Sequence, residues 1–165
     1  MLWGLSHRAD PKARALADRH YNRQKIGSPQ FVPPGRCLVL YGSNVFGEAF
    51  WVTSWPFGEY VRHAWPGAWV CSAFRNEGLG QASDLIRQAV AVTRFRYTEA
   101  PAQGMVSFLD RSKVAPIIVR GTKKWGRTWE MAGFRHVGET KGGLMAMQIL
   151  APDMPEPQEP NWCAE

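Results

Sequence analysis

The sequence predicts an α/β fold in which helices flank a mixed, mostly antiparallel central sheet. Three observations support this class. Short apolar runs alternate with amphipathic helical segments, a hairpin-type turn joins two early runs, and a Gly-x-Gly motif lies between the third run and the longer helix. The chain has 165 residues, 45% of them hydrophobic, which suffices for one substantial core. We therefore expect a single domain over residues 1–150.

The first predicted element is an amphipathic helix that begins at Asp10. Asp10 is an N-cap acceptor, and Pro11 occupies the first helical position. Apolar side chains at positions 13, 16 and 17 recur at helical spacing, and His20 continues their stripe. The pattern predicts a helix that ends at about Tyr21 and turns His20 toward the core.

Six apolar runs predict strands, and two further segments predict helices. The strands are expected over residues 37–41, 49–54, 69–74, 105–109, 134–137 and 144–150. A Gly/Ser/Asn turn joins the first two as an antiparallel hairpin. Apolar spacing from Ala82 to Thr93 predicts a long helix, and a helix end is expected at 129–133 with a C-terminal glycine. Residues 151–165 carry four prolines and four acidic residues, so we expect a mobile tail with little to bury.

Composition narrows the functional class. The net charge is +6, which allows a polyanionic partner. Cys37, Cys71 and Cys163 show no Cys-x-x-Cys spacing, so we expect neither a disulfide framework nor a thiolate zinc site. We expect the protein to occupy a reducing cytoplasm. We find no signal-peptide pattern and no apolar run of membrane-spanning length, and we expect no membrane partner.

The most informative motif is Arg75-Asn76-Glu77-Gly78-Leu79-Gly80, between the strand at 69–74 and the long helix. The glycines allow a tight turn, so that successive backbone N–H groups can point at one pyrophosphate. Arg75 adds a charged donor, and the helix N-terminus adds its positive dipole end. We expect Arg75, Gly78 and Gly80 to bind a phosphate-bearing cofactor, with a purely structural turn as the alternative.

Together with Ala132-Gly133-Phe134, this motif resembles the GNAT family of N-acetyltransferases over roughly residues 37–150. The resemblance implies coenzyme A binding at the glycine loop and a general-acid tyrosine four residues before the Gly-Phe glycine. Trp129 holds that position here. An indole has no proton to give a leaving thiolate at neutral pH, which disfavours ordinary acetyl transfer. An acyl-CoA-dependent N-acyltransferase acting on a small amine or a protein remains the alternative function.

A closer resemblance is to the Mom family of phage DNA-modification proteins. It is carried by Arg19-His20-Tyr21, Phe74-Arg75-Asn76-Glu77, Val106-Ser107-Phe108-Leu109-Asp110 and Ala132-Gly133-Phe134. The resemblance implies conversion of adenine to N6-carbamoylmethyladenine in phage DNA, in the cytoplasm of a bacterial host, as protection from restriction. It implies catalytic roles for His20, Tyr21 and Asp110, with iron bound by His20 and Asp110. From the residues alone, a core role for His20 and a turn-capping role for Asp110 stay open.

Action at adenine N6 makes demands on aromatic side chains. The amine points into the base pair, so an enzyme has to extrude the base and hold it against aromatic faces. Trp55 and Trp65 each precede a proline in a predicted loop, and we expect them to stack on the base. Trp51 and Trp69 lie in predicted strands, where a core role is favoured.

The remaining expectations concern the partners. The basic run at 120–127, with Lys123, Lys124 and Arg127, is expected to contact the phosphates of double-stranded DNA, with a solvated charged loop as the alternative. Acetyl-CoA cannot deliver a saturated methylene carbon directly, so another activated small-molecule donor is expected. A homodimer and a non-catalytic nucleic-acid-binding module are both left open.

Overall fold

The computed structural model describes residues 1–56 and 61–162. Its helices are α1 (Pro11–Asp18), α2 (Ala82–Tyr97) and α3 (Arg127–Met131). Its strands are β1 (Gly4–Leu5), β2 (Arg36–Asn44), β3 (Gly47–Trp55), β4 (Trp69–Glu77), β5 (Met105–Leu109), β6 (Ile117–Val119), β7 (Thr122–Lys124), β8 (Arg135–Glu139) and β9 (Met145–Ile149). None of the helices in these ranges is both long and apolar enough to cross a membrane.

The strands form one large sheet and one small hairpin. The large sheet has seven strands in the order β1-β2-β3-β4-β5-β9-β8, and every neighbouring pair is antiparallel except β4 and β5. The hairpin consists of β6 and β7. The prediction of a mixed, mostly antiparallel sheet with helices is therefore confirmed.

Helices cover the two faces of the large sheet. On one face, α1 contributes Leu16 to a buried cluster with Phe50 and Val52 of β3. On the other, α2 lies over a larger cluster that contains Trp51 and Trp69, both fully buried. Because side chains alternate along a strand, β3 supplies both clusters. The expected core roles of these two tryptophans are confirmed.

Two of the boundaries that differ from the predictions lie near the candidate site residues. Asp10 caps α1 by accepting the N–H of Lys12, as expected, but the helix ends at Asp18. His20 therefore lies in a turn beyond the helix. In addition, β4 continues to Glu77, so the first half of the glycine motif is strand and only the part from Gly78 onward is loop.

The basic run is not the loop that the sequence predicts. Its first part forms β7 of the small hairpin, whose two-residue turn is Arg120-Gly121. Both turn residues have positive φ, 49° and 78°, as a right-twisted hairpin favours. Arg127 then begins α3.

The C-terminal segment packs against the domain as far as the structure describes it. Met154 is buried, the Gln158 N–H donates to the Ala91 carbonyl, and the Asn161 N–H donates to the Trp3 carbonyl. Of residues 151–162, eight are exposed and one, Met154, is buried. Residues 163–165, which include Cys163, lie outside the described chain.

Candidate active site

A cleft opens where the two parallel strands separate. β4 and β5 pair at Trp69, Val70 and Cys71 with residues 105–107. Beyond Cys71, a register shift leaves Ser72 without a backbone pairing partner in β3. From there, β4 continues beside β3, while β5 stays beside β9. The carboxyl ends of the two parallel strands therefore move apart.

Two adjoining clefts occupy this opening. The inner cleft, of about 180 Å³, is lined by His20, Tyr21 and Trp129, among others. The outer cleft, of about 530 Å³, includes Asp110 and Lys113. Residues common to both are Tyr21, Asn22, Cys71, Ser72 and Phe108. His20 and Asp110, 90 positions apart in the chain, thus line two different clefts that share Tyr21.

His20 supports the ring of its neighbour. The two rings stack with centroids 4.6 Å apart and planes 27° apart. Nδ1 of His20 accepts the Asn22 N–H at 3.2 Å, and the imidazole also hydrogen-bonds the backbone of Phe74. Burial lowers the pKa of His20, so the imidazole is neutral at neutral pH. With its ring hydrogen bonds made to the protein backbone, His20 is suited to positioning Tyr21.

Tyr21 is the aromatic face at the junction of the clefts. Its side chain lines both of them, and the residue is 38% exposed. The pKa of the Tyr21 phenol is raised, because the effect of burial exceeds the opposing effect of a hydrogen bond with the backbone of Asp110. The phenol stays protonated at neutral pH, and the ring offers a surface on which a planar ligand can stack.

Asp110 follows the last residue of β5. Its Oδ1 accepts the Ser112 N–H at 3.0 Å and the Ser112 hydroxyl at 2.6 Å, and its Oδ2 lies 4.0 Å from Nζ of Lys113. These contacts, and chiefly the hydrogen bonds from Ser112, hold the pKa of Asp110 below its usual value, so the carboxylate is ionised. Asp110 therefore caps the following turn, as the structural alternative expected. It also retains hydrogen-bond acceptor capacity at Oδ2.

The donor atoms at this position do not fit the iron that the resemblance implies. Across residues 1–56 and 61–162, no three His, Cys, Asp or Glu side chains gather closely enough to hold a metal ion. Nδ1 of His20 and Oδ1 of Asp110 already accept hydrogen bonds from the protein.

Arg75 holds the turn that carries His20 and Tyr21. Its Nη1 donates to the Arg19 carbonyl at 2.8 Å, and its Nε donates to Glu77 at 2.7 Å. Glu77 also accepts from Nε of Arg19 at 2.9 Å. These bonds direct the Arg75 guanidinium to the protein's own groups, not to an open anion site.

The glycine loop is likewise shaped by internal contacts. Gly78 has φ +95°, and a Cβ there would lie 2.8 Å from the Phe46 carbonyl oxygen. The Leu79 N–H donates to Oδ1 of Asn76 at 3.0 Å. The structural alternative accounts for these features. The side chain of the N-cap residue Gln81 donates to the Ser83 hydroxyl at 3.2 Å and accepts no backbone N–H of α2, so that helix N-terminus keeps donors for an anion.

The two predicted stacking tryptophans lie in different places. Trp55 ends β3 and packs edge-on against Trp69 and Tyr97, at 6.1 and 5.6 Å, on the α2 side of the sheet. It lines neither cleft, so its predicted contact with an extruded base has no support from its position. The ring of Trp65 lies 6.0 Å from that of Phe108, which lines both clefts. Sequence reasoning missed Phe108 as a cleft residue, since β5 shows no alternation that distinguishes Phe108 from its buried neighbours.

The basic hairpin projects from the same part of the sheet. It follows Asp110 at the carboxyl end of β5, and Nε1 of Trp125 ties its base to the Val114 carbonyl at 2.8 Å. Lys123 and Lys124 are exposed on its surface. Arg127 lies beyond the hairpin, 3.5 Å from Glu130 in α3.

Comparisons with known proteins add no relative. No family model, no curated protein and no solved structure matches this chain.

Proposed function

We propose that this protein modifies the N6 amine of adenine in double-stranded DNA, forming N6-carbamoylmethyladenine and protecting phage DNA from host restriction. The observation that carries the proposal is the position of Tyr21, which stacks on His20 and lines both clefts between β4 and β5, the outer one together with Asp110. An aromatic face beside an ionised carboxylate suits a base that has an exocyclic amine. The chemistry expected from the Mom resemblance is compatible with this pairing.

Each side chain has a role that its contacts support. Tyr21 stacks on the extruded base, and such stacking contributes about 1–3 kcal/mol per base. His20 holds the Tyr21 ring from the other side. Oδ2 of Asp110 accepts an N6–H, because an ionised carboxylate is an acceptor only. Phe108 and Trp65 extend the aromatic wall.

The bond changes define the class of donor. The N6 lone pair attacks the methylene carbon of a carbamoylmethyl donor that bears a leaving group at that carbon. The N–C bond forms as the leaving group departs with its electron pair, and the N6 proton passes to the Asp110 carboxylate. Amine nitrogen conjugated to a purine ring is a weak nucleophile, so holding the donor and the amine in line supplies much of the acceleration.

The basic hairpin supplies contact with the duplex. A two-stranded ribbon fits the major groove of B-form DNA, and lysines on it contact phosphates without reading sequence. Lys123 and Lys124 are exposed on β7, and Arg120 is at the turn. We assign this hairpin to phosphate binding at the cleft entrance.

The test is the nucleoside composition of DNA exposed to the protein in cells. Plasmid DNA from bacteria expressing the wild type is digested to nucleosides and weighed. We expect a deoxyadenosine in which a carbamoylmethyl group replaces one hydrogen, and its loss in Asp110→Asn. Asp153→Asn, in the C-terminal segment, is the matched control and should retain the product. Unmodified deoxyadenosine with the wild type would refute the proposal.

A second candidate is an acyl-CoA-dependent N-acyltransferase. The α2 N-terminus favours it, since no side chain caps its first backbone N–H groups and these can bind a phosphate. The internal pairing of Arg75 and the indole of Trp129 in the inner cleft disfavour it. Thermal stabilisation by acetyl-CoA together with unmodified nucleosides would favour this candidate.

A further inference from the structure

The turn between β2 and β3 exposes two adjacent apolar side chains. Val45 is 94% exposed and Phe46 is 83% exposed. Both have negative φ, whereas two-residue hairpin turns favour positive φ and residues such as Asn-Gly. Neither side chain contributes to a described core cluster. The turn thus presents a large apolar surface that hairpin formation does not require.

This apolar tip is held rigidly. Oδ1 of Asn44 accepts the N–H groups of Phe46 and Gly47, at 2.9 and 3.1 Å. Nδ2 of Asn44 donates to the Leu79 carbonyl at 3.0 Å, which ties the tip to the glycine loop. At Gly47, a Cβ would lie 2.0 Å from the Glu77 carbonyl oxygen, so the two backbones are in direct contact.

The sheet topology places this tip at the same end of the strands as the opening of the clefts. β3 is antiparallel to β4, so the start of β3 lies beside the end of β4, and a bridge joins Glu48 to Gly78 there. β5 is parallel to β4, so Asp110 and the basic hairpin leave from the same edge. Along β3, Phe46 is four residues from Phe50, about 13 Å at the rise of an extended strand. The Phe50 ring lies 6.5 Å from that of His20.

Charge at this edge favours DNA as the occupant. The hairpin contributes Arg120, Lys123 and Lys124, within a chain of net charge +6. The two arginines and two glutamates beside the tip pair with one another and leave it without a net charge of its own. Apolar side chains that insert between base pairs are a means by which DNA-binding proteins separate stacked bases.

We infer that Val45 and Phe46 form a wedge that enters the DNA base stack and fills the space left by the adenine extruded toward Tyr21. This inference rests on the proposed function, because it assigns the wedge to that extrusion. Removing a base from the stack costs free energy, and an inserted side chain restores part of the lost stacking.

The test measures base unstacking without a donor molecule. The protein is titrated into duplexes that carry fluorescent 2-aminopurine in place of adenine in several sequence contexts. We expect fluorescence to rise on binding of the wild type, and the rise to fall about tenfold or more with Phe46→Ala. Phe95→Ala is the matched control, because Phe95 is 46% exposed near the end of α2, at the opposite edge of the sheet. This control should behave as the wild type, and thermal melting should show that both variants fold.

The outcomes separate the wedge from the chemistry. An unchanged fluorescence rise in Phe46→Ala, or no rise with a wild type that modifies adenine in cells, would overturn the wedge and leave the proposed function intact. A rise that depends on Phe46, with unmodified nucleosides in cells, would support the wedge and overturn the proposed function.

Discussion

Replacing Arg75 distinguishes a residue that positions the active-site turn from one that binds an anion. Arg75→Lys keeps the charge beside Glu77 but cannot also reach the Arg19 carbonyl with a second, rigidly oriented donor. The lost carbonyl bond costs about 1 kcal/mol of unfolding free energy. Arg75→Ala removes the ion pair as well, and because that pair is about one-third exposed it adds only about 0.5–1 kcal/mol.

The effect on activity should be much larger than the effect on stability. Displacement of Tyr21 and His20 by about 1 Å would lower the amount of modified adenine roughly a hundredfold. Urea unfolding measures the change in stability, and nucleoside mass spectrometry measures the change in activity. Arg8→Lys is the matched control. Nη2 of Arg8 donates to the Gly35 carbonyl at 2.8 Å, and this hydrogen bond lies away from the clefts. Full modification by Arg75→Lys would refute the positioning role and favour an anion-binding one.

Three further variants test separate parts of the account. Replacing Lys123 and Lys124 by alanine should weaken binding to all duplex sequences alike and reduce the slope of log affinity against log salt by about 1.8, whereas an unchanged slope in a mobility-shift assay would remove the hairpin from the DNA surface. Tyr21→Phe should retain most modification because the ring remains, while Tyr21→Leu should lower it about tenfold or more; equal losses would assign the role to the hydroxyl. Hydrogen bonds from Arg19 and then Arg75 lower the pKa of Glu77, so its stabilisation is present above about pH 4.3 and is lost as pH falls through the lower folded-state pKa. The difference in unfolding free energy between the wild type and Glu77→Gln should therefore shrink on acidification, and a constant difference would contradict the assigned ion pairs.

Local patterns predicted the elements whose signals are contained within a few residues. The strand at 105–109 matches β5, and the Asp10-Pro11 start matches α1. The alternation of side chains along β3 also predicts which side of the sheet Trp55 faces. Trp55 follows Thr53 by two residues and Trp51 by four. It therefore lies on the same side of β3 as these two residues, the side that faces α2, away from Tyr21.

Long-range contacts explain where the predictions fell short. The end of α1 could not be placed because the Arg19 carbonyl bonds Arg75, 56 positions away. The strands of the basic hairpin have three residues each, too short for a periodic signal, although the Arg120-Gly121 turn was readable. The meeting of Tyr21 with Asp110 depends on the divergence of β4 from β5, which no local pattern encodes.

Photo-crosslinking tests most directly whether an extruded adenine occupies the opening between β4 and β5. Duplex DNA carrying a photoreactive adenine is irradiated with the protein, and the attached peptide is identified by mass spectrometry. The account predicts attachment within the turn that contains Tyr21 or at Phe108, and loss of that product in Tyr21→Leu. Attachment near Trp55 and Tyr97, on the other face of the sheet, would contradict it.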